Sequence, residues 1–493
     1  MVIDQLVIPS NPTPNGDLHI GHIAGPFIGA DALRRAAESR GEHAAVLLGT
    51  AWQNTHVMLA AREQGRDYLA VAGEFTDRIE RSFAAANIEY EVMLRHHDIP
   101  LIEQATRQAW SRLRGDGVLV VRDAAAQYCP ACQAWRFQGF VAGSCPHCGS
   151  TDASGIDCEG CGIYHDDAEL RDATCVVCAA PTELRPLRRA FLDLEPQRSW
   201  FERYLGGCTL GDPVREFAES VLARPLPSVA VSFNGELGIP ADDPDLPGQR
   251  IYPAFELAPR YVAMTRKHRE SGARYEPGRT RAGMLFGIDN AFERVFLFPA
   301  VLRGSDDAGV PVPDVLQLTY FALLDGAKFS TSRRHVVRVA ELADVAGADG
   351  VRLYLAATRP EHAATNFTRA EFENSAEVAT VRRLREWAAT GSWPAGTAAG
   401  GGDRQSDLVA ASSSLADALR PERLSCRRAA RAIITLAELA GTADSDIFRD
   451  AALHCLVNGA VLIPETAARL AGAFGVRKAV FDGKPLPAGG GQR

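Results

Sequence analysis

The 493-residue sequence predicts an α/β fold: a parallel sheet, interrupted by an insertion and followed by helices. Three observations support this. Gln5-Leu6-Val7-Ile8-Pro9 and Ala44-Ala45-Val46-Leu47-Leu48-Gly49 are apolar runs of strand length, joined by a Pro/Asn/Gly turn and an amphipathic helix expected through residues 30–40. From about 118 to 190 the chain becomes short-period, Gly-rich and punctuated by cysteine. From about 373 onward it is Ala/Leu/Arg-rich with helical periodicity, broken by a Gly/Ala/Ser-rich linker at 391–402.

Strand, glycine-bearing turn, helix, strand is the opening of a parallel nucleotide-binding sheet, in which the ligand sits at the strand C-termini. The turn reads Asn15-Gly16-Asp17-Leu18-His19-Ile20-Gly21-His22. Two imidazoles three residues apart share one side of an opening helical turn, where ring N–H groups and the helix N-terminus can grip triphosphate oxygens. Some three hundred residues later, Lys328-Phe329-Ser330-Thr331-Ser332 adds a cation and two hydroxyls on a loop. The only lysines are Lys267, Lys328, Lys478 and Lys484, so a lysine kept inside this string of an arginine-rich chain points to a role. Further apolar strands are expected at 250–252 and at Arg281–Gly287, resuming the sheet after the insertion.

Eight of the eleven cysteines fall in four Cys-x-x-Cys pairs: Cys129/Cys132, Cys145/Cys148, Cys158/Cys161 and Cys175/Cys178. With Gly or Pro alongside, four such pairs mean zinc rather than disulfides in a chain expected to be cytoplasmic. Eight thiolates complete two tetrahedral sites, and both are expected to be structural because a closed four-cysteine site leaves no position for water or substrate. Spacing alone does not settle which pairs join. Cys208, Cys426 and Cys455 are expected to be ordinary buried thiols.

Composition excludes some classes. Net charge is −8, which argues against a protein whose main task is non-specific grip on nucleic acid. The first ten residues lack a basic n-region and a long apolar run, and no stretch reaches membrane-spanning length. A cytoplasmic protein with no membrane partner is the expectation.

The two nucleotide strings resemble the HIGH and KMSKS motifs of class I aminoacyl-tRNA synthetases. The likeness to methionyl-tRNA synthetases covers most of residues 5 to 372: the HIGH segment, the cysteine insertion, the stretch 251–261, Phe286-Gly287-Ile288-Asp289 leading to Phe298-Pro299-Ala300, and Lys328 through Asn366-Phe367. The resemblance implies a Rossmann-type sheet interrupted by a zinc-knuckle connective insertion, then a stem-contact region and a short C-terminal helical domain. The expected bounds are 1–117 and 216–320 for the two halves of the catalytic domain, 118–215 for the insertion, 321–372 for the KMSKS loop and stem-contact region, and 373–493 for the helices. It implies ATP with Mg2+, His19, His22 and Lys328 as catalytic groups, Asn15, Gly16, Gly21, Ser330 and Ser332 near phosphates, and Gly287 and Asp289 near the ribose. It also implies that the second cysteine pair joins the third and the first joins the fourth.

The amino-acid pocket departs from that pattern. Where the family has a leucine and a tyrosine before HIGH, this chain has Asn11 and Thr13; the tryptophan of Tyr-Val-Trp-Phe-Asp-Ala becomes Ala254; an isoleucine and a histidine become Asn290 and Arg294. Only Tyr261 of the aromatic lining remains. The family aspartate that holds the substrate ammonium becomes Ala51, within Gly49-Thr50-Ala51-Trp52-Gln53-Asn54. An unpaired buried polar group costs about 1–3 kcal/mol, so a wall turned polar needs a polar partner. The tail also departs: it is shorter than an anticodon-reading bundle, its tryptophans are only Trp387 and Trp393 beside the linker, and Arg423, Arg427 and Arg431 form a stripe at helical spacing, read as a solvated face.

These departures favour an enzyme that adenylates a non-methionine amino acid and passes the acyl group to a small molecule, such as an N-hydroxylated amine. The nearest likeness is to the synthetase-like domains of hydrazine synthetases, in which case a zinc cupin would be a separate partner. Two alternatives stand beside it: a methionine–tRNA ligase with a divergent pocket, using tRNA, and a catalytically silent regulatory paralogue. For the pocket, Arg294 either meets a side-chain carboxylate of the substrate or pairs internally with Glu256 or Glu293.

Overall fold

The computed structural model describes residues 1–493 except 152, 156–157, 237, 306, 308, 330–334, 394–402, 444, 478 and 482–493. Its centre is a six-stranded sheet, ordered Thr209–Leu210, Val315–Thr319, Arg281–Gly287, Gln5–Pro9, Ala44–Gly49, Val92–Leu94, with every pairing parallel. Gln5–Pro9 and Ala44–Gly49 are buried throughout, as strands covered on both faces must be. Alternation divides them: Leu6, Ile8 and Leu47 pack into the core on one face, Val7, Val46 and Leu48 into that on the other. Chain order reverses between Gln5–Pro9 and Arg281–Gly287, so a crevice opens outside their C-terminal ends.

The segment after the first strand is less regular than an amphipathic helix. Ile20–His22 form a short turn, Ile23–Phe27 a π-helical stretch kinked at Gly25 with Pro26 inside, and the regular helix runs Ile28–Ser39. Proline lacks the N–H that an uninterrupted helix would use, which accounts for the break.

The insertion is antiparallel. Leu119–Cys129 and Glu183–Asp193 pair along their length and carry Ala134–Arg136 and Ser228–Ala230 at their edges. A three-stranded sheet of Ala153–Ser154, Val141–Ser144 and Arg171–Cys175 holds the middle knuckles. Insertion and sheet interleave more than a cut at residue 215 implies: Thr209–Leu210 already belongs to the parallel sheet, whereas Ser228–Ala230 still pairs with the insertion. The strand expected at 250–252 is Gln249–Ile251, and it pairs antiparallel with Ser232–Asn234 instead of resuming the parallel sheet.

Helices Val339–Ala357, Ala376–Thr390, Arg404–Ala418, Cys426–Gly441, Asp446–Gly459 and Pro464–Phe474 complete the described chain. Trp387 is buried and packs against Trp393 and Phe474, with ring centroids 5.0 and 4.7 Å away. The arginine stripe is broken: Arg423 lies in the short turn Pro421–Arg423, off the helix, and reaches Asp417 at 3.0 Å. Cys426 and Cys455 are buried as expected, but Cys208 is only partly so, with its thiol 3.9 Å from the Pro313 carbonyl. Among the described residues no helix is long and apolar enough to cross a membrane.

Arg352 joins these layers. Fully buried, it pairs with Asp31 of the helix Ile28–Ser39 at 2.5 Å and donates to the carbonyls of Ala86, Asn87, Val461 and Leu462. A buried cation with every donor engaged is tolerable; one stripped of its partner is not. Arg352→Met should therefore lower unfolding free energy by roughly 3–5 kcal/mol, since it leaves four carbonyls without their donor and the buried Asp31 with Arg35 as its one remaining cation among the described residues. Urea denaturation checks this, and an unchanged midpoint would contradict it.

Candidate active site

The crevice brings the two distant strings together. The His19 and His22 rings lie 3.8 Å apart, and Phe329 stacks on His19 at 4.3 Å with an interplanar angle of 8°. Gly21 suits this close approach: a Cβ would crowd the His19 ring at 3.0 Å and Phe329 at 3.2 Å. Backbone bonding continues the union, because the Ile20 N–H donates to the Val337 carbonyl at 3.0 Å. Asp17 adds an ionic link, bonding both Arg78 and, at 2.7 Å, Arg338. Gly16 is buried beside it, while Asn15 is exposed and turns its N–H back to the Thr13 carbonyl.

Electrostatics keep both imidazoles neutral. Burial, then the neighbouring His22 and Lys328 charges, hold His19 well below the ordinary histidine range. Loss of solvent around the ring, with Lys328 adding to it, brings His22 down to about 4, although the residue keeps an exposed edge. His22 Nδ1 accepts from the His19 backbone N–H at 3.3 Å, which leaves Nε2–H as a donor. The His19 Nδ1 is buried with no partner. Lys328 is half exposed, ion-pairs with Glu159 of the knuckle loop Cys158-Glu159-Gly160-Cys161, and stands 5.0 Å from the Phe321 ring centre. Ser330 and Ser332 lie outside the described residues.

Gly287 ends its strand at the same edge, and a Cβ on it would collide with the Asp289 carboxylate. Burial raises the Asp289 carboxyl above its ordinary range, opposed by bonds from Asn290 and the charge of Arg294.

The expected amino-acid pocket lies against the neighbouring strand ends. The Ala51 N–H donates to the Pro12 carbonyl at 2.9 Å, which brings Asn11 and Thr13 beside Ala51. Ala254 and Tyr261 are buried, but the Tyr261 hydroxyl donates to the Pro311 carbonyl at 2.7 Å, so it serves the scaffold. Asn290 is partly buried. Around them sits a buried network that sequence reasoning missed. Arg260 donates to the Thr50 carbonyl at 2.7 Å and pairs with Glu256 at 3.5 Å; Gln53, with its amide nitrogen toward Glu256, donates to that carboxylate too; and Trp52 is buried 6.0 Å from the Arg260 guanidinium. The available signal was Arg260 four residues after Glu256, an ion-pair spacing inside an apolar helix. Burial pushes the Glu256 carboxyl up to about 8 against the pull of Arg260.

Glu256 is thus engaged by Arg260 and Gln53 and does not pair with Arg294. Arg294 is 2 % exposed, its Nε has no partner, and no carboxylate among the described residues comes within ion-pair distance of it. Burial brings its guanidinium down to about 10, with Glu293 opposing from farther off.

The cysteines gather into two quartets, Cys129/Cys132/Cys175/Cys178 and Cys145/Cys148/Cys158/Cys161. First pair joins fourth and second joins third, as the resemblance implied. Tetrahedral zinc with bonds of about 2.3 Å requires sulfurs roughly 3.8 Å apart. Contacts of 3.5 Å (Cys129–Cys178), 3.9 Å (Cys132–Cys175), 3.9 Å (Cys145–Cys161) and 3.6 Å (Cys148–Cys158) fit that requirement. Backbone N–H groups of Cys132, His147 and Gly160 point at the sulfurs, as thiolates need. Each quartet could hold one zinc. A cavity of about 380 Å3 lies elsewhere, between Ser39 and the helices near Asn458 and Ala471, and no motif residue lines it.

The family model described as tRNA synthetases class I (M) matches residues 6–385. A methionine–tRNA ligase of Pyrobaculum arsenaticum is 27% identical over 358 residues, covering 71% of this chain and 62% of that protein. Another, of Rubrobacter xylanophilus, is 27% identical over 401 residues, covering 75% and 67%. The chain therefore spans under two thirds of the Pyrobaculum relative's length. Among solved structures, a Mycobacterium tuberculosis methionyl-tRNA synthetase in complex with methionyl-adenylate superposes with a TM-score of 0.68 at 15% identity, covering 97% of this chain and 94% of that one.

Elemental analysis of the purified protein should give two zinc ions per chain, and Cys145→Ser should reduce this to one while loosening the insertion against proteolysis. One equivalent or none in the wild type would contradict the assignment.

Proposed function

The chain belongs to the class I tRNA synthetases (M), and on that premise we propose that it activates an amino acid with ATP as a ligase, but an amino acid other than methionine. The observation supporting this is a division within one crevice: His19, His22, Phe329 and Lys328 are together, while the neighbouring wall is polar and charged.

In the proposed reaction a carboxylate oxygen of the amino acid attacks the α-phosphorus of ATP. An acyl–phosphate bond forms, the α–β phosphoanhydride breaks, and pyrophosphate leaves with the bonding electrons. His19 and His22, neutral at physiological pH, act as N–H donors to phosphate oxygens; they exchange no proton. Mg2+ accompanies ATP. Lys328 stabilises the departing charge, for which its ammonium exchanges Glu159 for phosphate. Ser330 and Ser332 are assigned to the same phosphates, and Gly287 and Asp289 to the ribose, where the absent Cβ lets the chain turn closely. Asn11, Thr13, Ala51, Ala254, Asn290 and Arg294 are assigned to the amino acid.

A small-molecule acceptor, such as an N-hydroxylated amine, suits the tail better than tRNA does. Trp387 is packed in the core rather than presented for stacking, and Asp417 engages both Arg423 and Arg428. A separate cupin partner would then carry any further chemistry. The relatives' printed names favour a second reading, a methionine–tRNA ligase.

ATP–pyrophosphate exchange across all amino acids, without tRNA, separates the two. The expected outcome is exchange dependent on a non-methionine amino acid, reduced roughly 10²-fold or more in a folded His22→Asn variant. Efficient methionine-dependent exchange would establish the second reading instead.

A further inference from the structure

The charges at the sheet edge fall into two separate sets. The electrostatic partners of His19 are His22 and Lys328. Those of Arg294 are Glu293, Arg260 and Asp289. Neither His22 nor Lys328 is among them, whereas Asp289, assigned to the ribose, is, so Arg294 lies on the ribose and amino-acid side of the crevice.

Within its own set Arg294 is the cation left over. Arg260 has Glu256 and the Thr50 carbonyl, although its Nε, like that of Arg294, has no partner, and Glu256 has Gln53 as well. Arg294 is 2 % exposed and lacks a hydrogen bond at Nε, while Glu293 and Asp289 stay beyond ion-pair distance. Buried guanidinium groups are stable when paired, and a planar fork finds its best partner in a carboxylate, which takes two parallel bonds. Other orphaned groups stand at the ends of the adjoining strands. Ser10 Oγ and Trp52 Nε1 are buried donors without partners, and Asn11 Oδ1 is a buried acceptor without one. Ser10 follows the strand Gln5–Pro9 and donates its N–H to the Leu285 carbonyl; Trp52 follows Ala44–Gly49; Arg294 follows Arg281–Gly287. Most of these orphans are donors, so a ligand rich in acceptor oxygens suits them, and beside a buried guanidinium a carboxylate suits best. Asn11 Oδ1, an acceptor, suits an ammonium where Ala51 offers none.

We infer that the activated amino acid bears a side-chain carboxylate, and that Arg294 is the specificity-determining residue that receives it. This rests on the reading of the crevice as an amino-acid-activating site. An apolar pocket cannot strongly reject a polar isostere, whereas a site built to bond a polar group rejects the analogue lacking it by orders of magnitude. Selectivity for acid over neutral isostere should accordingly be large.

The test is pyrophosphate exchange on wild-type protein with aspartate and glutamate against asparagine, glutamine, norvaline and methionine, followed by Arg294→Met and Arg294→Lys. The inference expects an acidic substrate to exceed its neutral isosteres by roughly 10²-fold or more in kcat/KM. In Arg294→Met that preference should collapse mainly through KM, and Arg294→Lys should restore part of it. A neutral amino acid turned over equally well or better by the wild type overturns the inference while leaving activation standing. No exchange with any amino acid removes activation and, with it, this assignment. An equal loss for all substrates in folded Arg294→Met would assign the residue to ATP or scaffold and overturn it too. If the variants fail to fold, the isostere series on wild type decides alone.

Discussion

Five residues of parallel register hold the site together. Gln5 to Pro9 pair in sequence with Arg281 to Leu285, and the next strand, Ala44–Gly49, pairs with Gln5 to Val7. Because those strands run parallel, the turn carrying His19 and His22 and the segment carrying Asp289 and Arg294, nearly three hundred residues away, leave the sheet at the same edge. A one-residue slip would exchange the two faces of a strand buried on both sides, so the register is not free to drift. Loop closure over that distance is costly, and contacts beyond the sheet share in fixing it. Asp17 ties the first turn to Arg78 and Arg338, and Arg352 ties Asp31 to the carboxyl-terminal helices.

On this framework the turn bearing His19 and His22 and a buried charged wall share one crevice, and we propose that the first serves ATP and the second an amino acid other than methionine. Neutral imidazoles with available N–H groups suit a phosphate ligand, because they donate without titrating near neutrality. The neighbouring wall carries four buried polar or charged groups, Arg260, Glu256, Gln53 and Arg294. Such a wall is stable only where each charge has a partner, and three of these four groups have theirs within the protein. The fourth defines what the proposed substrate must supply. The Lys328–Glu159 pair connects this chemistry to the zinc-knuckle insertion, so the insertion contributes a charge to the site as well as a scaffold.

Much of this was legible before any coordinates. Continuous apolar runs marked the strands buried on both faces, and the histidine spacing marked a shared helical side. The cysteine spacing marked two quartets, with their pairing left to family likeness. What escaped the sequence depends on contacts between distant segments. The strand Gln249–Ile251 looks like a core strand by composition, but its partner is an antiparallel neighbour. The arginine stripe has the right spacing, but Pro421 opens a separate turn and removes Arg423 from the helix. Arg260 has an ion-pair spacing to Glu256, but nothing in the sequence tells that Thr50, 210 residues away, accepts from it. Continuous apolar runs signal the burial of a strand, but the burial of a single charged side chain such as Arg294 depends on distant segments and has no such signal.

The proposed function requires that phosphate chemistry is retained while methionine recognition is lost. It is tested most directly by incubating the protein with ATP and an equal mixture of all twenty amino acids, then identifying the adenylate retained on the protein by mass spectrometry. The account predicts a single aminoacyl-adenylate whose acyl group is not methionyl. Methionyl-adenylate, or no adenylate on protein shown to be folded and zinc-loaded, would contradict it.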